Sequence, residues 1–198
     1  MINTAIMIIY VSLRFGSGFL SPSTGIILND LMDDFSFPDT GNLNGFEPSR
    51  ANFVRPGKRP LSSMCPTIIL DENKDASMVL GAAGGMRITT AVAQVHISHP
   101  RSKAYATEIT QQQVITRNLW LEEDIKSSID APRIHHQLIP MKVEAEESVS
   151  EEVRDFLASR GHVVAPLKWT AVVQGISRRD GRIYANSDKR KAGGIAGF

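Results

Sequence analysis

The chain has 198 residues, of which 42% are hydrophobic; that is enough for one substantial core and too little for two comfortable ones. Twenty-two lysines and arginines nearly balance 21 aspartates and glutamates, so no strong field argues for nucleic acid or an anionic membrane as a partner. Cys65 is the only cysteine, which excludes an internal disulfide.

The first residues, MINTAIMIIYVSL, are apolar in their middle but lack the basic leading segment and small-residue cleavage site of a signal peptide. The run also falls short of the ~20 apolar residues that span a bilayer. A buried strand over 6–13 is expected instead. Gly16-Ser17-Gly18 then reads as a turn, and Gly25-Ile26-Ile27-Leu28 as a second apolar strand. Residues 33–59 contain Pro38, Asp39, Gly41, Asn42, Asn44, Gly45, Pro48 and Pro56, which predicts a long surface loop of the kind that often carries function.

The stretch 56–90 organises the rest. Ser62-Ser63 precede the strand-like run Thr67-Ile68-Ile69-Leu70, and a polar loop follows over 71–77. Met78-Val79-Leu80 then lead into Gly81-Ala82-Ala83-Gly84-Gly85 and a helix over about 88–95. In an antiparallel hairpin the start of the first strand and the end of the second lie at the same end. The two serines and the two glycines are therefore expected to be neighbours in space.

Residues 96–113 show little apolar periodicity, whereas 114–129 resume a helical pattern through Ile115, Leu119, Ile125 and Ile129. After Ala131-Pro132-Arg133, one short strand is expected within 134–143. Residues 150–159 read as an amphipathic helix stopped by Gly161. Segments 163–164, 170–173 and 182–185 read as closing strands, the last two joined around Asp180-Gly181. Strands and helices in blocks make the fold class α+β.

Consecutive glycines entering a helix leave backbone N–H groups that can hold an anion or a developing oxyanion. The plainer reading is a tight turn where close packing excludes a Cβ. Met86-Arg87 stand where a phosphate loop needs Lys-Ser or Lys-Thr. Ser62 and Ser63 can hydrogen-bond a carboxylate and Asp34 can pair with an ammonium group; equally, such serines satisfy turn backbone and Asp33-Asp34 cap local structure. Cys65 reads as a packed small side chain. His135-His136 have no matching cysteine or carboxylate cluster, so no metal site is expected.

Read in order, several motifs resemble the small subunit of γ-glutamyltranspeptidase. They are Ser21-Pro22…Gly25-Ile26…Asn29…Met32-Asp33-Asp34-Phe35, Asn52-Phe53…Pro56-Gly57-Lys58…Pro60-Leu61-Ser62-Ser63-Met64…Pro66-Thr67, and Gly81-Ala82-Ala83-Gly84-Gly85…Ile88-Thr89-Thr90. Ala131-Pro132-Arg133…His135…Gln137-Leu138…Pro140 and Ser187-Asp188…Arg190-Lys191 extend the match. The similarity runs from about Phe15 to the C-terminus, leaving 1–14 unmatched and a polar insertion near 96–113. These two segments are expected to be translated intron or the product of a misplaced gene boundary.

The resemblance implies part of a stacked αββα sandwich, the fold of the N-terminal-nucleophile hydrolases, made as a precursor that cleaves itself to expose a threonine. That threonine attacks the γ-glutamyl bond of glutathione and related compounds, and the acyl group passes to water, an amino acid or a dipeptide. By resemblance Gly84 and Gly85 supply the oxyanion hole, Ser62 and Ser63 hold the glutamyl α-carboxylate, and Asp34 holds its α-amino group. No cofactor is implied. The implied partners are γ-glutamyl compounds and the large subunit, without which apolar surface should be exposed. The implied location is the outer face of the plasma membrane or outside the cell, although the chain's own sequence assigns no compartment.

The departures also carry expectations. The nucleophilic threonine and the large subunit lie upstream of the matching residues, and no residue here takes the nucleophile's role. A small subunit truncated before its threonine, inactive alone, is therefore expected, and the alternative is a non-catalytic light-chain-like protein that binds a partner or a glutamyl ligand. Tyr10 and Ser12 occupy a Thr-x-Asn pattern of the family. Leu31 replaces a glutamate that helps bind the substrate amine, which removes a charge-assisted contact.

Overall fold

The computed structural model describes residues 15–38, 47–92, 114–120 and 122–197. The expected strand over 6–13, the segment 1–14 that was expected to be unmatched, with Tyr10 and Ser12, the expected helix beyond Val92 and the polar segment 96–113 lie outside the described residues. The chain divides into two compact units, one ending at Ser63 and the other starting at Met64.

The first unit is made of turns. The apolar run 25–28 does not form the expected strand: it joins 17–20 in a small hairpin whose one ladder contact is the Leu20–Ile27 bridge. Ser17 closes it, with its N–H and its Oγ both donating to the Leu28 carbonyl at 3.0 Å. Ile26 and Leu28 stay 59% and 44% exposed; among the described residues no third strand joins this ribbon, and two strands alone are at best marginal. The expected loop 33–59 does hold no strand or α-helix among its described residues, only short 3-10 turns at Leu31–Asp34 and Arg50–Asn52. A parallel bridge between Ser36 and Phe53 links these two turns.

The second unit contains β1 (Thr67–Leu70), β2 (Ala76–Ala83), α1 (Arg87–Val92), α2 (Ile125–Asp130), β3 (Ile134–His135), β4 (Val143–Ala145), α3 (Glu151–Ser159), β5 (Val164–Pro166), β6 (Val172–Arg179) and β7 (Arg182–Ser187). One sheet is antiparallel throughout, in the order β1-β2-β6-β7. Its two hairpins form for local reasons. Asp71 Oδ1 accepts from the N–H groups of Asn73 and Asp75 at 2.9 and 3.0 Å and so closes β1–β2. Asp180 and Gly181, at φ +51° and +73°, make the two-residue turn whose twist matches the strands of β6–β7.

Alternation gives this sheet two different faces. Met78, Leu80 and Val173 point inward and are buried with Ile88, Ala91 and Val92 of α1 and Ile125 and Ile129 of α2. The three α1 residues recur at the i, i+3, i+4 spacing of one helix face. A side chain at Gly175 would meet Leu80 Cδ2 at 2.7 Å and both isoleucine Cδ1 atoms of α2 at 3.1 Å, so this position lets α2 seat on β6. On the outer face Ile68, Val79, Ile176 and Ala185 form a row across all four strands, with Ile68 49% and Ile176 46% exposed.

The second sheet, β3-β4-β5, pairs β3 with β4 antiparallel and β4 with β5 parallel. The single strand expected within 134–143 is thus two strand ends, since the chain turns at Leu138 (φ +72°) and pairs Ile134 with Ala145. The helix expected over 114–129 also breaks. A π-turn at Thr116–Trp120 ends the first piece, and Asp124 caps α2 by accepting from the Ser127 N–H at 2.9 Å. Asn118 Nδ2 holds the break through the Glu123 carbonyl at 2.7 Å. As expected, α3 starts after Ser150 and stops before Gly161, which sits at φ +88°.

A buried polar cluster joins the two sheets to the C-terminus. Arg133, 3% exposed, donates to Asp188 Oδ2 and the Ile129 carbonyl at 2.8 Å and also to the Ala171 carbonyl. Asp188, fully buried, also accepts from the N–H groups of Val173 and Arg190 at 2.9 and 3.0 Å. Arg190 forks onto both carboxylate oxygens of Glu146 at 2.7 Å. No helix among the described residues is long and apolar enough to cross a membrane.

Candidate functional site

In the first unit the candidate site is built around Asn52, which is 6% exposed. Its Nδ2 donates to the Asp34 carbonyl at 2.7 Å and to Ser36 Oγ at 3.4 Å, while its Oδ1 accepts from the Leu61 N–H at 2.9 Å. Its backbone takes part as well: Asn52 N–H donates to Ser49 and Ser36 N–H donates to the Asn52 carbonyl, at 2.9 and 3.1 Å. The chain between Phe53 and Leu61 returns through a turn at Pro56-Gly57-Lys58. There Gly57 has φ +79°, and Lys58 Nζ donates to the Ala51 carbonyl. Ser62, exposed, and Ser63, half-buried, follow Leu61 directly. Asp34, half-buried, closes the turn on the other side of Asn52. One buried amide therefore ties the carboxylate turn to the residue before the serine pair.

In the second unit Gly84 and Gly85 form the corner between β2 and α1. Their φ angles are +146° and +56°, in the region that L side chains rarely adopt. Their carbonyls accept from the N–H groups of Arg87 and Ile88 at 3.2 and 3.0 Å, which closes the turn into the helix. A Cβ on Gly84 would lie 2.6 Å from the Ala171 Cβ, whereas one on Gly85 would meet nothing within 4 Å. Gly84 thus satisfies the packing reading of the glycine run, whereas at Gly85 the backbone angle and not packing favours glycine.

The surroundings of the corner hold it in place. Arg133 donates to the carbonyl of Ala171, the residue on which Gly84 closes. Arg87 pairs with Glu144 and stacks its guanidinium 4.4 Å above the Trp169 ring. A cleft of about 320 Å³ opens beside Arg87, Glu144 and Trp169, and neither Gly84 nor Gly85 lines it. Thr90 Oγ1 and His135 Nδ1 are 2.8 Å apart, and His135 Nε2 is 2.9 Å from Gln137 Oε1. Gln137 Nε2 donates to the Ile139 carbonyl, which leaves its oxygen to accept a proton from His135 Nε2. Burial, aided by the charge of Arg87 and opposed by Gln137, holds the His135 pKa below its ordinary value.

Among the described residues no group of three or more His, Cys, Asp or Glu side chains could hold a metal ion. Cys65 packs against the core beside Thr67, its Sγ 3.8 Å from the hydroxyl. The β1–β2 hairpin pairs Thr67 with Leu80, so the start of β1 and the end of β2 share one end, as expected. Asp34, Ser62 and Ser63 belong to the first unit, and Gly84 and Gly85 to the second. The structural role of Asn52 was missed in the sequence, where it stood in a motif without a task.

Comparison with known proteins accounts for the motifs. The γ-glutamyltranspeptidase family model matches residues 3–198. Scoloptoxin SSD20 of Scolopendra dehaani is 44% identical over 93% of this chain and 85% of its own length. Glutathione hydrolase proenzyme 1 of Schizosaccharomyces pombe is 39% identical over 95% of this chain, which spans only 27% of that protein. A crystal structure of Helicobacter pylori γ-glutamyltranspeptidase superposes with a TM-score of 0.75 at 30% identity, covering 95% of this chain and 94% of that one. The chain belongs to the γ-glutamyltranspeptidase family. Its α+β fold is part of the αββα sandwich of the N-terminal-nucleophile hydrolases, with α1, α2 and the four-stranded sheet as adjacent layers.

Proposed function

We propose that this chain carries the γ-glutamyl head-group site of a glutathione hydrolase and γ-glutamyltransferase. Asp34 pairs with the α-ammonium group, and Ser62 and Ser63 donate to the α-carboxylate. The N–H groups of Gly84 and Gly85 receive the oxygen that turns negative when the γ-carbonyl is attacked. In the whole enzyme a threonine makes that attack, and the acyl group passes on to water, an amino acid or a dipeptide. No residue of this chain is assigned the nucleophile's role.

The observation that supports the reading best is the Asn52 clasp between the Asp34 turn and Leu61. An amino acid carries its ammonium and carboxylate on one carbon, so groups that bind them have to be held close together. With Leu31 in place of an acidic side chain, the amine has Asp34 as its assigned charged partner.

The proposed partner is the large subunit of the family. Its support is the outer row Ile68, Val79, Ile176 and Ala185, since an apolar sheet face is normally packed on another layer. The location proposed with it is the outer face of the plasma membrane or outside the cell.

Calorimetric titration of the purified chain with L-glutamate and glutathione tests the site. Both bind, and Asp34→Ala or Ser63→Ala weakens glutamate binding about 10- to 150-fold, the equivalent of one charge-assisted hydrogen bond. Equal binding by the unaltered chain and both variants would remove the assignment.

A further inference from the structure

We infer that Asn52 is a positioning residue that sets amine recognition and carboxylate recognition together; the inference rests on the head-group reading above. Each polar atom of its side chain has a distinct task. Nδ2 holds the Asp34 carbonyl and Ser36 Oγ, and Oδ1 holds the Leu61 N–H. The Asp34 carbonyl and the Leu61 N–H impose the orientation of the amide, because one can only accept and the other can only donate. The side chain is buried, so water does not replace a lost bond without rearrangement.

The two ends of the clasp are separable by chemistry. Asn52→Asp keeps an acceptor for Leu61 but puts a second acceptor against the Asp34 carbonyl, which releases the Asp34 side alone. Asn52→Ala releases both sides. A purely structural asparagine would lower stability in either variant without changing which ligand atoms are recognised. The charge that Asn52→Asp introduces favours an ammonium group, so a specific loss of amine recognition runs against the simple electrostatic effect.

The test titrates the full chain with L-glutamate, with glutarate, which lacks the ammonium group, and with 4-aminobutyrate, which lacks the α-carboxylate. Amide hydrogen exchange at Leu61 is followed in parallel and needs no ligand. In Asn52→Asp the preference for glutamate over glutarate falls about tenfold, while the preference over 4-aminobutyrate and the protection of Leu61 remain. In Asn52→Ala both preferences fall and Leu61 exchanges faster. If the unaltered chain prefers glutamate over both analogues, but Asn52→Asp loses both preferences equally or neither, the positioning role is overturned and the head-group reading survives. If the unaltered chain shows no preference, the head-group reading fails and the inference falls with it.

Discussion

The two units of the chain are held together by different means. From Met64 onward an apolar core lies between a sheet and two helices, and a buried cluster of two arginines and two carboxylates joins four stretches of chain, at 129–133, Glu146, Val173 and 188–190. Up to Ser63 the buried side chains among the described residues are Phe35 and Asn52, and the order comes from turns clasped by polar groups. The difference suggests a division of labour. Three proposed recognition residues sit on turns clasped by a buried amide, and two sit on a corner that the core and the ion cluster hold.

The sharpest way to break this comparison is to remove the centre of the ion cluster. Asp188→Ala strands the Arg133 charge and the Val173 N–H in the interior, and losing one partner of a buried pair costs about 3–5 kcal/mol. Urea unfolding should show that loss; a change below about 1 kcal/mol would mean that the second unit does not depend on the cluster. Burial works to raise the Asp188 pKa, but Arg133 and the N–H groups of Arg190 and Val173 outweigh it and hold the carboxyl below its ordinary value. Its contribution is therefore full above the unfolded value near 3.8 and is lost as pH falls through the lower folded value.

The glycine pair sharpens the comparison within one corner. Gly84→Ala meets both a left-handed backbone and the body of Ala171, and should destabilise by about 3 kcal/mol. Gly85→Ala has open space around the new methyl and carries only the backbone penalty, about 1 kcal/mol. Thermal or urea unfolding of the two variants checks the order, and equal losses would deny Ala171 its role as the wall behind Gly84.

The smallest expected effect concerns His135 at the edge of the core. Its lowered pKa means that the unfolded chain takes up the proton first as pH falls. The stabilising contribution is full above about 6.5, the unfolded value, and declines as pH falls from there to the folded value. His135→Gln should therefore flatten the stability profile between about pH 7 and pH 5. An unchanged slope would show that the Thr90–His135–Gln137 chain is not sensed by folding.

Much of the second unit was legible in the sequence because its causes are local. Short apolar runs marked β1 and β2, Asp180-Gly181 marked the β6–β7 turn, and Ser150 and Gly161 bounded α3. The first unit was harder, since an apolar run such as 25–28 becomes a strand only if a sheet is there to receive it. The acidic run Glu122-Glu123-Asp124 should have warned of the break before α2, because an aspartate there can cap a new helix. Of the site, the residue types and their order were readable, and so was the family they resemble. The clasp through Asn52 was not, because a single amide gives no period or spacing that announces its partners.

The sequence by itself determined the hairpins, the glycine corner and the motifs of the γ-glutamyltranspeptidase family, since each depends on residues a few positions apart. Only the tertiary structure decided that Arg133 meets Asp188 across 55 positions, that β4 pairs in parallel with β5, and that Gly84 closes on Ala171. Those partners are selected by strand register and by burial of the apolar faces, and a buried polar group then takes whichever donor or acceptor that packing brings within reach.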